Sequence, residues 1–279
     1  MQRTDCGPEL TASGDAPGLL TAFCASAGCQ VKVLLLAAHP DDEVIGASTR
    51  LRELRENMFI VFATDGAVRQ GREEGWRAVA ARRHHEAETV MKQVGIPGGN
   101  VFWLDHADQS ASAQLPALIR ELTELVLAVQ PAVLVTHPYE GGHPDHDACA
   151  FAAQVSIARL GADGPVRLEM TSYHDHQGCF RAGAFLPAGN TGPTVCLALT
   201  NAEQLRKREL FGRYESQREV LQSFQVDHEA FRVAPTYDFT RPPHAGTLYY
   251  ERFAWGMPSG QAWRALGRAA LDRADRNSL

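Results

Sequence analysis

The sequence predicts an α/β fold: a Rossmann-like, mostly parallel sheet flanked by helices on both faces, with the active site at the carboxyl ends of the strands. Three observations predict it. From Val31 onward, short apolar runs alternate with longer amphipathic ones. The short runs are almost continuously hydrophobic, as strands covered on both faces are. The chain has 279 residues, a length one α/β domain fills by itself.

The elements follow in order. Residues 1–30 are rich in Gly, Ser, Ala and Thr and read as an extension on the surface of a single domain spanning 31–279. Strands are expected at 32–37, 58–63, 101–104, 132–136, 167–173 and 194–199. Helices are expected at 42–56, 74–94, 113–129, 144–160 and 201–224. Gly95 with Pro97 stops the second helix and Pro131 the third. Thr200 and Glu203 form a capping box that opens the fifth. Residues 226–279 read as a C-terminal elaboration.

Composition narrows the partners. The net charge is −6 and no basic run occurs, which argues against nucleic acid and anionic membrane surfaces. An apolar run such as 33–38 is far below the ~20 residues a membrane span needs. The apolar patch at 18–27 lacks the basic cluster that would precede it in a signal peptide. Six cysteines without a CxxC pair read as reduced thiols, so a cytoplasmic location is expected. A chain this long buries roughly 70–75% of its unfolded surface, so a metal would serve chemistry rather than folding. A homo-oligomer is compatible with all of this.

Two strand ends carry a related sequence. The first strand runs into His39-Pro40-Asp41-Asp42-Glu43; the fourth leads through His137-Pro138-Tyr139-Glu140-Gly141-Gly142 to His143-Pro144-Asp145-His146-Asp147. Proline keeps the preceding residue out of the helical region and suits the first helical position. His39 and His143 therefore stand at helix entrances, with Asp41, Asp42, Asp145 and His146 in the first turns. His39/Asp42 and His143/His146 are spaced i, i+3 and can act together. A three-ligand His/Asp set with an open position fits catalytic zinc. Bound water then reaches a pKa of about 7, and a carboxylate outside the ligand set can act as general base. A lone His-Pro-Asp reads more simply as a helix cap. Two copies at two strand ends favour a metal site, although spacing alone does not separate His143 from His146 as the ligand.

Ala38 to Glu43 together with His143-Pro144-Asp145-His146 resembles the PIG-L/LmbE family of zinc-dependent N-deacetylases. The likeness runs over roughly 31–225. Thr64-Asp65-Gly66 is similar to the family's T-x-G element, Arg83 and Glu86 to its R-x-x-E helix, Ser216-Gln217 to its SQ element, and Asp108 to an acidic residue on the substrate side. The resemblance implies Zn2+ held by His39, Asp42 and His146, with Asp41 as general base. It implies that His143 stabilises the oxyanion, as imidazolium or imidazole, and that Asp145 orients a histidine. The ligand types leave room for another divalent metal. The implied substrate is a small-molecule N-acetylglucosamine-type sugar or glycoconjugate. Ala47-Ser48 departs from the Gly-Gly pair of many members, a change expected to reshape the pocket floor.

Other residues carry weaker signals. Arg83 and Glu86, one helical turn apart, read as an exposed ion pair, or Arg83 reaches the pocket. Arg69 and Arg72 sit in a carboxyl-end loop, where solvation is the simpler reading than contact with an acidic substituent. His174, in His174-Asp175-His176, and His244, in a turn-rich stretch, are candidate substrate contacts beside Asp108 and Arg83. Trp76 and Trp103 read as core, Trp255 and Trp263 as a packing or oligomer surface, and Cys149 as buried core. The alternatives to a deacetylase are an amidase for a larger acyl group of the thiol-conjugate type, a two-metal phosphoesterase, and a noncatalytic sugar- or metal-binding protein. Binding alone would not require Asp41.

Overall fold

The computed structural model describes residues 15–25, 30–69, 75–187, 192, 194–253, 255 and 259–276. The strands are β1 (Val33–Ala37), β2 (Met58–Val68), β3 (Val101–Asp108), β4 (Val133–Thr136), β5 (Val166–Met170), β6 (Tyr173–His176), β7 (Cys179–Ala182), β8 (Thr194–Ala198) and β9 (His228–Val233). The α-helices are α1 (Ala16–Cys24), α2 (Asp42–Glu53), α3 (Trp76–Val94), α4 (Leu115–Val129), α5 (Pro144–Leu160), α6 (Asn201–Phe211), α7 (Arg218–Leu221) and α8 (Gly260–Arg276). Seven strands form one sheet in the order β3-β2-β1-β4-β5-β9-β8. The run from β3 to β5 is parallel, whereas β9 and β8 join antiparallel. The α/β expectation holds, with an antiparallel flank added.

Both faces of the sheet are buried. Val33, Leu35 and Ala37 of β1 enter one core cluster, and Leu34 and Leu36 enter the other. That period of two explains the unbroken apolar run, since neither face meets water. In α4, Leu115, Leu118, Ile119, Leu122, Val126 and Val129 are buried, the i, i+3, i+4 stripe of a helix lying on a sheet.

The differences have local causes. β2 and β3 run on to Val68 and Asp108, past their apolar stretches, because Thr64 pairs with His106 and Val68 with Asp108 across register shifts. The expected 201–224 helix is broken after Phe211: α6 ends there, and Tyr214 turns inward to donate its hydroxyl to Glu43. The capping box of Thr200 and Glu203 is present as expected. Residues 173–182 form a separate hairpin, β6-β7, whose Gln177 and Gly178 both adopt positive φ (53° and 88°). A two-residue turn of that hand matches the twist of its strands. Helix α1 carries Leu19, Leu20 and Phe23 into the core, where Phe23 meets Phe231 of β9 edge-on at 5.0 Å. No helix among the described residues is long and apolar enough to cross a membrane.

Candidate active site

The carboxyl ends of β1 and β4 are neighbours because these strands pair directly. The two His-Pro-Asp segments therefore face each other, one opening α2 and the other α5. His143 caps α5, its Nδ1 accepting the Asp145 N–H at 3.2 Å. Asp41 stands before α2 at φ 126°, a conformation costly for a residue with a side chain. It is held there at both ends: its N–H donates to Glu43 Oε2 at 3.0 Å, and its carboxylate meets Arg83 Nη2 at 3.1 Å.

Asp42 is the hub. Its Oδ2 lies 3.2 Å from His39 Nδ1, and its Oδ1 lies 3.3 Å from His146 Nε2. The opposite ring nitrogens are also engaged: His39 Nε2 faces Asp145 Oδ2 at 3.2 Å, and His146 Nδ1 faces Ser172 Oγ at 3.1 Å. Asp145 is completely buried and accepts the N–H groups of Gln109 and Ala111 as well. It is thus fixed to orient His39. An imidazole whose far nitrogen is tied to a carboxylate or hydroxyl presents its near nitrogen in one tautomer and direction, as metal-binding histidines do. Three donors, His39, His143 and His146, lie within 4.8 Å of one another, and so do Asp42, His137 and His146. The donor set fits a divalent cation of the zinc type, with two imidazoles converging on the carboxylate between them.

The electrostatics follow from burial in a crowd of opposite charges. Burial opposes a charge on His39, but Asp108, Asp145 and Asp42 outweigh it and hold its pKa well above the ordinary value. Burial also works against ionised Asp42, yet His146 and His137 keep its carboxyl well below the usual range. Burial and neighbouring His39 push His143 well below its ordinary value, so it stands as neutral imidazole. With Nδ1 accepting, its Nε2 carries the proton. Asp41 is pushed up to about 7, chiefly by burial and further by Asp42, with Arg83 pulling the other way.

The structure brings together most of the sequence candidates. His39, Asp41, Asp42, Arg83, Asp108, His143 and His146 line one cleft of about 170 Å³, with Gln217 on its rim. Asp108 lies 3.2 Å from His39 Nε2 and 3.8 Å from His143 Nε2. The reading of Arg83 and Glu86 as a mutual surface pair is replaced by two separate anchors. Arg83 reaches Asp41 and the Pro40 carbonyl, while Glu86 accepts the Ser216 N–H and hydroxyl at 2.9 and 2.5 Å.

Other candidates lie elsewhere. His174 is buried against Glu140 at 3.1 Å, in a network completed by Arg232 and Glu169 beneath the hairpin, and does not line the cleft. His244 also lies off the cleft, its Nδ1 accepting the Gly246 N–H. Arg69 is committed to Asp65 at 2.6 Å and to the Trp76 ring, and Arg72 lies outside the described residues. Ser48 does not shape the pocket floor: its hydroxyl donates to Glu229 at 2.6 Å, on the far side of α2.

Other residues at the site escaped the sequence reading. His137 stacks on His146 at 3.9 Å and accepts the Ala38 N–H. Its place directly after β4 was the available signal. Tyr173, Val220, Phe224 and Trp255 form the apolar wall of the cleft. Trp255, read as a packing surface, lies 4.8 Å from His143.

Residues 34–157, from β1 to near the end of α5, match the PIG-L family, described as GlcNAc-PI de-N-acetylase. A curated relative from Streptomyces avermitilis, 1D-myo-inositol 2-acetamido-2-deoxy-alpha-D-glucopyranoside deacetylase, is 29% identical over 175 residues, covering 50% of this chain and 56% of that one. The chain thus spans about half the length of that curated relative. The fold is similar to that of solved deacetylases. One, from the teicoplanin biosynthesis pathway, gives a TM-score of 0.57 at 14% identity, over 72% of this chain and 96% of that one. Another, the N,N'-diacetylchitobiose deacetylase of Pyrococcus horikoshii, gives 0.52 at 20% identity, over 77% and 87%.

Proposed function

We propose that the protein is a zinc-dependent hydrolase that removes the N-acetyl group from an N-acetylglucosamine-type sugar or glycoconjugate. The observation that carries the reading is Asp41, a buried carboxylate held by Arg83 beside the His39–Asp42–His146 cluster and facing the cleft. A structural cap would need neither its unusual backbone nor its guanidinium partner. The family match and the activities of the relatives support the same reading.

His39, Asp42 and His146 would hold the ion. When bound, zinc supplies a Lewis acid for an amide carbonyl and lowers the pKa of water. Asp41 takes the proton from the attacking water and delivers it to the departing amine, a transfer suited to a carboxyl near neutrality. His143, neutral and protonated at Nε2, donates a hydrogen bond to the oxygen that becomes negative in the tetrahedral state. Asp108 and Gln109, on the polar side of the cleft, are placed to accept from and donate to sugar hydroxyls.

Acetate release from a panel of N-acetyl sugars and glycoconjugates, measured with zinc-loaded and chelator-treated protein, tests this. Release that needs the metal supports the reading. Full activity of metal-free protein, or release of a bulky acid in place of acetate, sinks it.

A further inference from the structure

The cleft has two unlike walls. Arg83, Asp108 and Gln109 make the polar one. The other is a continuous aromatic surface that starts at the reaction centre and runs outward. Trp255 lies 4.8 Å from His143, and Phe253 stacks on Trp255 at 4.4 Å and 12°. Tyr249 meets Phe253 at 5.2 Å, and Tyr173 meets Tyr249 at 5.5 Å and Phe224 at 5.8 Å. Val220, which lines the cleft, and Phe253 remain 51% and 39% exposed. Arg252, whose guanidinium lies over the Tyr249 ring at 5.8 Å, is tied to Asp175 and to the Gly178 carbonyl. An apolar patch left open beside a polar reaction centre marks a binding surface.

We propose that this wall binds an apolar alkyl or aryl substituent carried by the N-acetyl sugar, so that the favoured substrates are hydrophobic glycosides rather than free or wholly hydroxylated sugars. The inference rests on the deacetylase reading and adds the class of aglycone. Continuity names the occupant: Tyr173, Val220, Phe224 and Trp255 line the same cavity as His39 and Asp41. What lies on them is therefore attached to what reacts. A second sugar ring fits less well, because sugars stack on open aromatic faces and one face of Trp255 is covered by the stacked Phe253. The exposed apolar side chains here are Val220 and Phe253, and these match methylenes.

The test is a series of N-acetylglucosamine glycosides with methyl, butyl, hexyl and phenyl aglycones, assayed with the zinc-loaded full chain. Calorimetry of the corresponding free amines, the products, runs beside it. Each methylene laid on the wall is expected to lower KM and the product Kd about twofold to fourfold, from the free energy of burying a CH₂. The effect should fall mainly on KM, because the aglycone binds equally in ground and transition states. Phe253→Ser and Val220→Asp should each shrink the hexyl-to-methyl ratio several-fold, a ratio that cancels any general loss of activity. A flat series with acetate released from every member overturns the aglycone wall and leaves the deacetylase standing. Graded product binding without release from any member supports the wall and overturns the deacetylase. A dimer of the native chain that Phe253→Ser dissociates, with a flat series, assigns the patch to a second copy and overturns the proposal.

Discussion

Arg83 Nη2 sits 3.1 Å from Asp41 Oδ2 and 2.5 Å from the Pro40 carbonyl oxygen, so one guanidinium group clamps both the carboxylate and the strained backbone that presents it. Removing the acid and removing a ligand should therefore fail differently. Asp41→Asn keeps the clamp's geometry and the His39–Asp42–His146 cluster but cannot take a proton. Zinc content should stay at the native level while turnover falls about 10²–10⁴-fold. His39→Ala should lose zinc and activity together. Elemental analysis beside acetate-release rates checks both, and native turnover in Asp41→Asn would remove it from the mechanism.

Asp145 faces His39 and does not line the cleft. It accepts two backbone N–H groups besides facing His39 Nε2, which fixes its position independently of any metal. Asp145→Asn keeps the shape and can still accept one of these two bonds, which reach different carboxylate oxygens, but offers His39 no charge. Zinc affinity should fall about 10–100-fold, the usual effect of losing such an orienting partner. Competition against a chromogenic chelator measures it. Unchanged affinity would confine Asp145 to holding the Gln109–Ala111 loop.

How much of this was legible in the sequence depended on whether the signal was local. The β1 and β4 runs, the His143-Pro144-Asp145 entrance and the Thr200 cap are set by neighbours in the chain, and they stand as read. Helix α2, by contrast, opens only at Asp42, with Asp41 outside the helix at φ 126°. The extension of β2 through Thr64, Asp65 and Gly66 was hidden, because its polar residues are satisfied by tertiary partners such as the Ala38 carbonyl. His174 and Trp255 exchanged expected places for a related reason. The β6-β7 hairpin turns His174 inward to Glu140, and the segment after Arg252 brings Trp255 over His143. No periodicity of 2 or 3.6 encodes such a long-range return.

Glu169 makes a pH-dependent contribution to stability away from the cleft. Burial pushes its carboxyl up to about 7, against the pull of Arg232, whose Nε lies 2.7 Å away, and of Arg167. The folded value is above the unfolded one, so the folded protein holds this proton more tightly. Its contribution is complete below the unfolded carboxyl range and is lost as pH rises through about 7. Glu169→Gln cannot ionise and should lose less stability between pH 5 and 8 than the native chain does, by on the order of 3 kcal/mol. Urea unfolding across that range is the measurement. Parallel curves for the two proteins would show that Glu169 stays charged.

Helix α1 should prove part of the structural core. Phe23 is fully buried, edge-on to Phe231 of β9, and Arg50 donates to the carbonyls of Phe23, Cys24 and Ala25 at the helix's end. The helix is thus fixed by packing at one site and by a buried cation at another. Phe23→Ala removes a ring from a site that Leu35 and Phe231 share within the same cluster, and rigid strands there cannot collapse to fill the space. A loss of about 3–5 kcal/mol is expected, the usual cost of such a cavity. Arg50→Met should also destabilise, because three carbonyls lose their buried donor. Both effects belong in chemical denaturation midpoints, with zinc affinity of the folded protein unchanged because neither residue touches the ligand cluster. A Phe23→Ala change of under about 1 kcal/mol, the size expected at an exposed site, would show that α1 rides on the surface.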